Sequence, residues 1–153
     1  MKKHNIIPAL AFFGIELKTV RPSQSIENPQ VIGEHIKNRR LQLKLKQADV
    51  AKVFEICEDS ITGWENGRSE PQIQFYPKII QFLGYNPFPV NTGTLRGRIK
   101  NYRITQGLSH KKLGQKIGVD ASTVSGWEEE KHKPTSKMTK ILEEIINHKE
   151  LSK

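Results

Sequence analysis

The sequence predicts an all-α protein, built as two small helical bundles in tandem joined by a short Pro-containing linker. Three observations predict it. The chain repeats itself, apolar residues recur at helical spacing within each repeat, and Pro and Gly gather between the repeats.

Slid on itself by 63 residues, the chain falls into register without a gap. Ile36, Lys37, Asn38, Arg40, Leu45, Gly63, Trp64, Glu65 and Pro71 meet Ile99, Lys100, Asn101, Arg103, Leu108, Gly126, Trp127, Glu128 and Pro134. These nine identities fall within 36 aligned positions and include a Trp pair and a Pro pair, so the chain is a tandem duplication. The stretches DSITGWENGRSEP (59–71) and STVSGWEEEKHKP (122–134) are its most legible part.

Each copy divides into short helices. Residues 33–43 set Ile36, Leu41 and Leu43 among Lys, Arg and Gln, and the partner 95–106 does the same with Leu95, Ile99 and Ile104. The segments 46–54 and 109–117 each predict about two helical turns. Val50, Val53 and Phe54 face inward in one, Leu113 and Ile117 in the other, and Ser109 is a good N-cap. A break follows. In copy two Gly118 permits a tight turn and Asp120 is expected to cap the next helix.

The third helix carries Ile61 and Trp64, or Val124 and Trp127, three apart on one buried face. Stacking of the two indoles on nucleobases is the alternative, and their spacing favours the core. Gly67 can end this helix in copy one, whereas Glu130 is a poorer stop in copy two. Amphipathic segments 76–84 and 136–148 close the copies, with Pro77 suited to a first turn and Gly84 to a C-terminal cap. The stretch YNPFPVNTG (85–93) marks the connection. The expected organisation is a poorly ordered extension 1–31, a first domain 32–87, a linker 88–93, a second domain 94–148 and a tail 149–153.

Composition restricts the partners. The chain has 153 residues, a formal charge of +9 and a pI near 9.7, which attracts polyanions. A single cysteine, Cys57, cannot close an intramolecular disulfide and suggests a reducing, cytoplasmic setting. Its position before the third helix allows a redox switch, but a small cap residue is the plainer reading. The start MKKHNIIPALAFFGIEL mimics a signal peptide, yet Pro8 interrupts it and no small-residue cleavage site closes it. No apolar run is long enough to span a bilayer, so no membrane partner is expected. His4, His35, His110, His132 and His148 lack ligand spacing, so neither metal nor cofactor is expected.

Two short helices around a tight turn, KNRRLQLKLKQADVAKVF, followed by SITGWENGRSEP, resemble the helix-turn-helix domain of the Cro/C1 phage-repressor type, or XRE family. The resemblance covers 32–84 and 94–147. It implies lambda-repressor-like bundles of about five short helices, whose third helix enters the major groove of double-stranded DNA. Carried over by position, it implies that Gln47, Ser109 and His110 begin the second helices and touch phosphate. Glu58, Asp59, Ser60, Thr62 and Gly63 would line the exposed face of the first recognition helix, and Ala121, Ser122, Thr123, Ser125 and Gly126 that of the second. Asn66, Arg68, Lys131 and Lys133 would meet the backbone. Arg40 with Glu65, and Arg103 with Glu128, would form internal ion pairs, which makes the glutamates structural.

The copies are not equivalent. Residues 32–87 hold eight Lys and Arg against seven acids, and residues 94–153 hold thirteen against seven. Copy one puts Glu55 where the family usually has Gly, and Glu58 and Asp59 at base-facing positions. Carboxylates are repelled by phosphate, although they accept a bond from cytosine N4. Copy two is therefore expected to bind DNA more strongly, with copy one reading a C-containing half-site or serving partly as a packing module. The nine residues 85–93 reach at most about 30 Å, against about 34 Å between successive half-sites, so one chain could do the work of a dimer only with help from domain width.

The resulting expectation is a sequence-specific DNA-binding transcriptional regulator of bacterial or phage type. The alternative is an antitoxin-like or adaptor module that binds protein, supported by the acidic first recognition helix and the apolar IIPALAFF; a homodimer or a protein partner fits either reading. An enzyme is not expected, because no nucleophile–base pairing or phosphate-cradling Gly loop is present.

Overall fold

A computed structural model describes residues 26–88 and 90–150. Among these residues all regular structure is helical, and no helix is long and apolar enough to cross a membrane. Two compact units part between Pro87 and Phe88.

The first unit comprises α1 (Ile32–Gln42), α2 (Gln47–Phe54), α3 (Glu58–Glu65), a 3-10 turn (Ile73–Phe75) and α4 (Tyr76–Leu83). The second comprises α5 (Leu95–Thr105), α6 (His110–Ile117), α7 (Ala121–Glu128) and α8 (Ser136–Glu150). The first three helices of each unit start and stop 63 residues apart, so the register of the repeat is also the register of the backbone.

Each unit has its own core. Ile36, Val50, Phe54, Ile61, Trp64, Ile79 and Phe82 are buried together in the first, with Phe54 edge-on to Phe82 at 5.4 Å between ring centroids. Ile99, Tyr102, Leu113, Val124, Trp127, Leu142 and Ile146 form the second. A fully buried side chain of this size contributes about 1.5–3 kcal/mol through the water it leaves behind. Both tryptophans therefore spend nearly all of their apolar surface inside their own unit.

Three left-handed turns recur at matched positions. The φ angles are 54° at Lys44 and 63° at Gly107, 59° at Glu55 and 76° at Gly118, and 67° at Gly67 and 60° at Glu130. In each pair only one copy has glycine. The other places an L side chain in a conformation that costs roughly 1–2 kcal/mol. Tertiary packing thus demands the turn even where the residue resists it. Glu130 takes up the same conformation as Gly67 despite being the poorer stop, and Glu55 adds an ion pair to Lys78.

Several expectations change. Asp120 stands at the N-cap position with extended backbone, but its side chain makes no cap hydrogen bond. Ser109 does cap, its Oγ accepting from the Lys112 N–H at 3.2 Å. Among the described residues the second unit has four helices rather than five. Pro77, at the first turn of α4, lacks the N–H that would continue a helix from the 3-10 turn, whereas Lys140 takes its place in copy two and α8 runs unbroken. The extension lies outside the described residues as far as residue 25, as does the signal-like stretch, and the tail does so from 151. Residues 26–31 are held on α1: the Asn38 amide bonds both the N–H and the C=O of Ile26, at 2.7 and 2.8 Å.

Candidate nucleic-acid interface

The geometry of the site starts from one buried carboxylate in each unit. Glu65 at the end of α3 receives Arg40 Nε at 2.6 Å and Nη2 at 2.8 Å, a bidentate pair reaching across from α1. Arg40 Nη1 donates to the Leu45 carbonyl at 3.1 Å. Gln47, the first residue of α2, donates from Nε2 to the same Glu65 at 2.9 Å and accepts from Thr62 Oγ1 at 3.1 Å. One carboxylate therefore ties together the first three helices.

Copy two repeats the construction. Arg103 donates to Glu128 from Nε at 2.6 Å and Nη2 at 2.8 Å, with Nη1 on the Leu108 carbonyl at 3.3 Å. His110, at the position of Gln47, brings Nε2 within 3.1 Å of Glu128. Burial alone would raise the Glu128 carboxyl, but the hydrogen bonds and charge of Arg103, with those of His110, hold it below the ordinary carboxylate range. The two-helix angle that presents α3 or α7 is thus fixed at the end opposite its exposed first turn.

Glu58 and Asp59 are exposed on α3, and Ser122 is exposed on α7; Ser60, Thr62, Ala121, Thr123 and Ser125 are half-buried. Asn66, Arg68, Lys131 and Lys133 are exposed after the helices. Gly63 and Gly126 do not line the exposed face; both are buried. The exit loop folds back over them, with the Arg68 and Lys131 N–H groups bonding their carbonyls at 2.9 Å. An added Cβ would meet Ser69 Oγ at 2.7 Å at Gly63, and the His132 ring at 2.0 Å at Gly126. Glycine is there because the loop needs the space.

Gln47, Ser109 and His110 stand at the helix starts, but each already has an internal partner. The hydroxyl of Ser109 accepts within its helix and keeps its proton free to donate. In copy one the Cys57 thiol lies 3.1 Å from Ser60 Oγ, whose hydrogen bond lowers the thiol from its ordinary value.

Two features went unread in the sequence. Glu129 accepts from Ser125 Oγ at 2.6 Å and pairs with Lys131 Nζ at 2.6 Å, and these two partners hold its carboxyl below the ordinary range. The i,i+4 spacing of Ser125 and Glu129 was the available signal. Lys111 and Lys112 are exposed in the first turn of α6, where copy one has Ala48 and Asp49; the run HKK after a capping Ser was visible.

Among the described residues no group of three His, Cys, Asp or Glu side chains is placed to hold a metal. A family model described as helix-turn-helix matches residues 36–89 and again residues 99–152, with the 63-residue offset of the internal repeat. Comparison with curated proteins and with solved structures returned no match.

Proposed function

Because the chain belongs to the helix-turn-helix family of the Cro/C1 type, with the domain present twice, we propose that it is a sequence-specific regulator of transcription. In this reading it acts in the cytoplasm on double-stranded DNA, and α3 and α7 enter the major groove. The observation that carries the reading is the repeated carboxylate lock. It fixes the recognition helix against its neighbours at one end and leaves the first turn exposed at the other. A base-reading helix needs that rigidity, because bidentate contacts to base edges tolerate little displacement.

The second unit is the stronger reader. Ser122 offers a short hydroxyl at the exposed first turn of α7, and Lys111 and Lys112 supply positive charge at the start of α6, where phosphate is favoured by the free helix N–H groups as well. The first unit offers Glu58 and Asp59 at the matching surface. It selects cytosine or contributes little.

The test is selection from a pool of random duplexes, with affinity for the enriched sequence measured across salt. Enrichment with affinity falling steeply in salt supports a DNA reader. The absence of any enriched sequence sinks it in favour of a protein-binding module built on the same fold.

A further inference from the structure

The two units differ beside their tryptophans. In the first, Gly33 lies so close to the end of α3 that an added Cβ would meet the Trp64 carbonyl oxygen at 1.8 Å. There α1 closes directly on the recognition helix, and Phe75 of the 3-10 turn packs on the indole with ring centroids 5.5 Å apart. The 63-residue register puts Arg96 in place of Gly33, Met138 in place of Phe75 and Thr139 in place of Tyr76.

An arginine cannot make the contact that Gly33 makes. Its side chain is 46% exposed and reaches Glu130 at 3.0 Å. A cavity of about 690 Å³ stands between the first turn of α5, the end of α7 and the start of α8. Leu95 and the exposed edges of Ile99 and Trp127 give it an apolar floor, and Arg96, His132 and Lys133 stand on its rim. Glu130 is the single acid of the lining and is already engaged by Arg96. Among the described residues no carboxylate pairs with Lys133 or His132.

The volume lies in the range of pockets that take small organic ligands. An apolar floor favours a flat hydrocarbon body, because burying it removes apolar area from water. An uncompensated ammonium on the rim favours an acid at one end of that body. We infer that the second unit binds a small aromatic carboxylate in the cavity beside Trp127. The first unit, where Gly33 packs on the Trp64 carbonyl and Phe75 on its indole, does not. This site lies away from the exposed first turn of α7 but shares Lys133 with the expected DNA-backbone contacts, and its occupancy is measured without DNA.

In uniformly ¹⁵N-labelled full-length protein, the indole N–H signals of Trp64 and Trp127 report the two places separately. Titration with 2-naphthoate shifts the Trp127 signal saturably, with a Kd of about 1 mM or tighter, and leaves Trp64 in place. The neutral analogue 2-naphthamide binds several-fold more weakly. Arg96→Gly and Thr139→Tyr, which restore the residues of the first unit, each abolish the response, and the same spectra show whether each variant is folded. No saturable shift at Trp127, equal shifts at both indoles, equal affinity for the amide, or an undiminished response in both folded variants overturns the proposal.

Discussion

Arg103 and Glu128 meet through two parallel hydrogen bonds of 2.6 and 2.8 Å, and Arg40 and Glu65 reproduce both distances one repeat earlier. Both partners are largely buried, with side-chain exposures of 9% and 6% in the second unit and 12% and 1% in the first. Twenty-five residues of chain separate the partners in each case, so the pair closes a tertiary loop rather than a helical turn.

Removing one partner leaves a buried charge without compensation. Glu128→Ala is expected to lower the stability of the second unit by about 3–5 kcal/mol. The double variant Arg103→Met with Glu128→Leu should recover much of that loss, since it removes the orphaned charge. Urea unfolding followed through Trp127 fluorescence, with Trp64 replaced by Phe, measures both. A single-variant loss within experimental error of zero would reject the lock as a stabilising element.

Acid should reach the same pair. The Glu128 carboxyl lies below its ordinary range when folded, so its stabilising contribution is complete above the unfolded-state value and fades as pH falls through the folded one. The second unit is therefore expected to lose stability on acidification through and below the ordinary glutamate range. Glu128→Gln should flatten that slope. Midpoints of urea unfolding collected across acidic pH for the two proteins decide the matter.

The turn after α6 offers a test of backbone strain alone. A Cβ at Gly118 would meet nothing within 4 Å, while φ there is +76°. Gly118→Ala should cost about 1–2 kcal/mol with no packing contribution. Glu55→Gly in the first unit should act in the opposite direction, limited by the loss of the exposed pair to Lys78. Thermal unfolding of the two variants gives the signs, and like signs would contradict the argument.

Close packing at Gly33 predicts a harsher response. Its added methyl would collide with backbone at Trp64, which cannot rotate away as a side chain can. Gly33→Ala should destabilise the first unit by about 1–3 kcal/mol or more. Calorimetry of the variant should show this loss in the first unit's transition.

On DNA, the copies should respond unequally. Ser122→Ala and Lys131→Ala are expected to weaken binding to a selected duplex more than Glu58→Ala does. Lys131→Ala should also lower the salt slope by about one. Glu129→Gln should strengthen binding, because Lys131 no longer has to leave a carboxylate 2.6 Å away to reach phosphate. Equal losses for Ser122→Ala and Glu58→Ala in fluorescence anisotropy would remove the asymmetry.

Order along the chain and side-chain spacing settle local questions. The 63-residue register, the three short helices of each copy and the inward faces of Ile61 with Trp64 and Val124 with Trp127 were therefore legible in the sequence. Each depends on residues within a turn or two of one another, or on the covalent repeat itself. The bidentate pairs came from family resemblance, since nothing local to Arg40 points to a glutamate twenty-five residues on. Only the tertiary structure brought Gln47 and His110 onto those glutamates, buried Gly63 and Gly126 beneath returning loops, and forced Glu55 and Glu130 into left-handed turns. Only it set a cavity beside Arg96, at the repeat position where Gly33 packs against the Trp64 carbonyl. These outcomes depend on distances between helices that are not neighbours in sequence. A change of an ångström or two there decides whether a side chain finds a partner, a wall or a space.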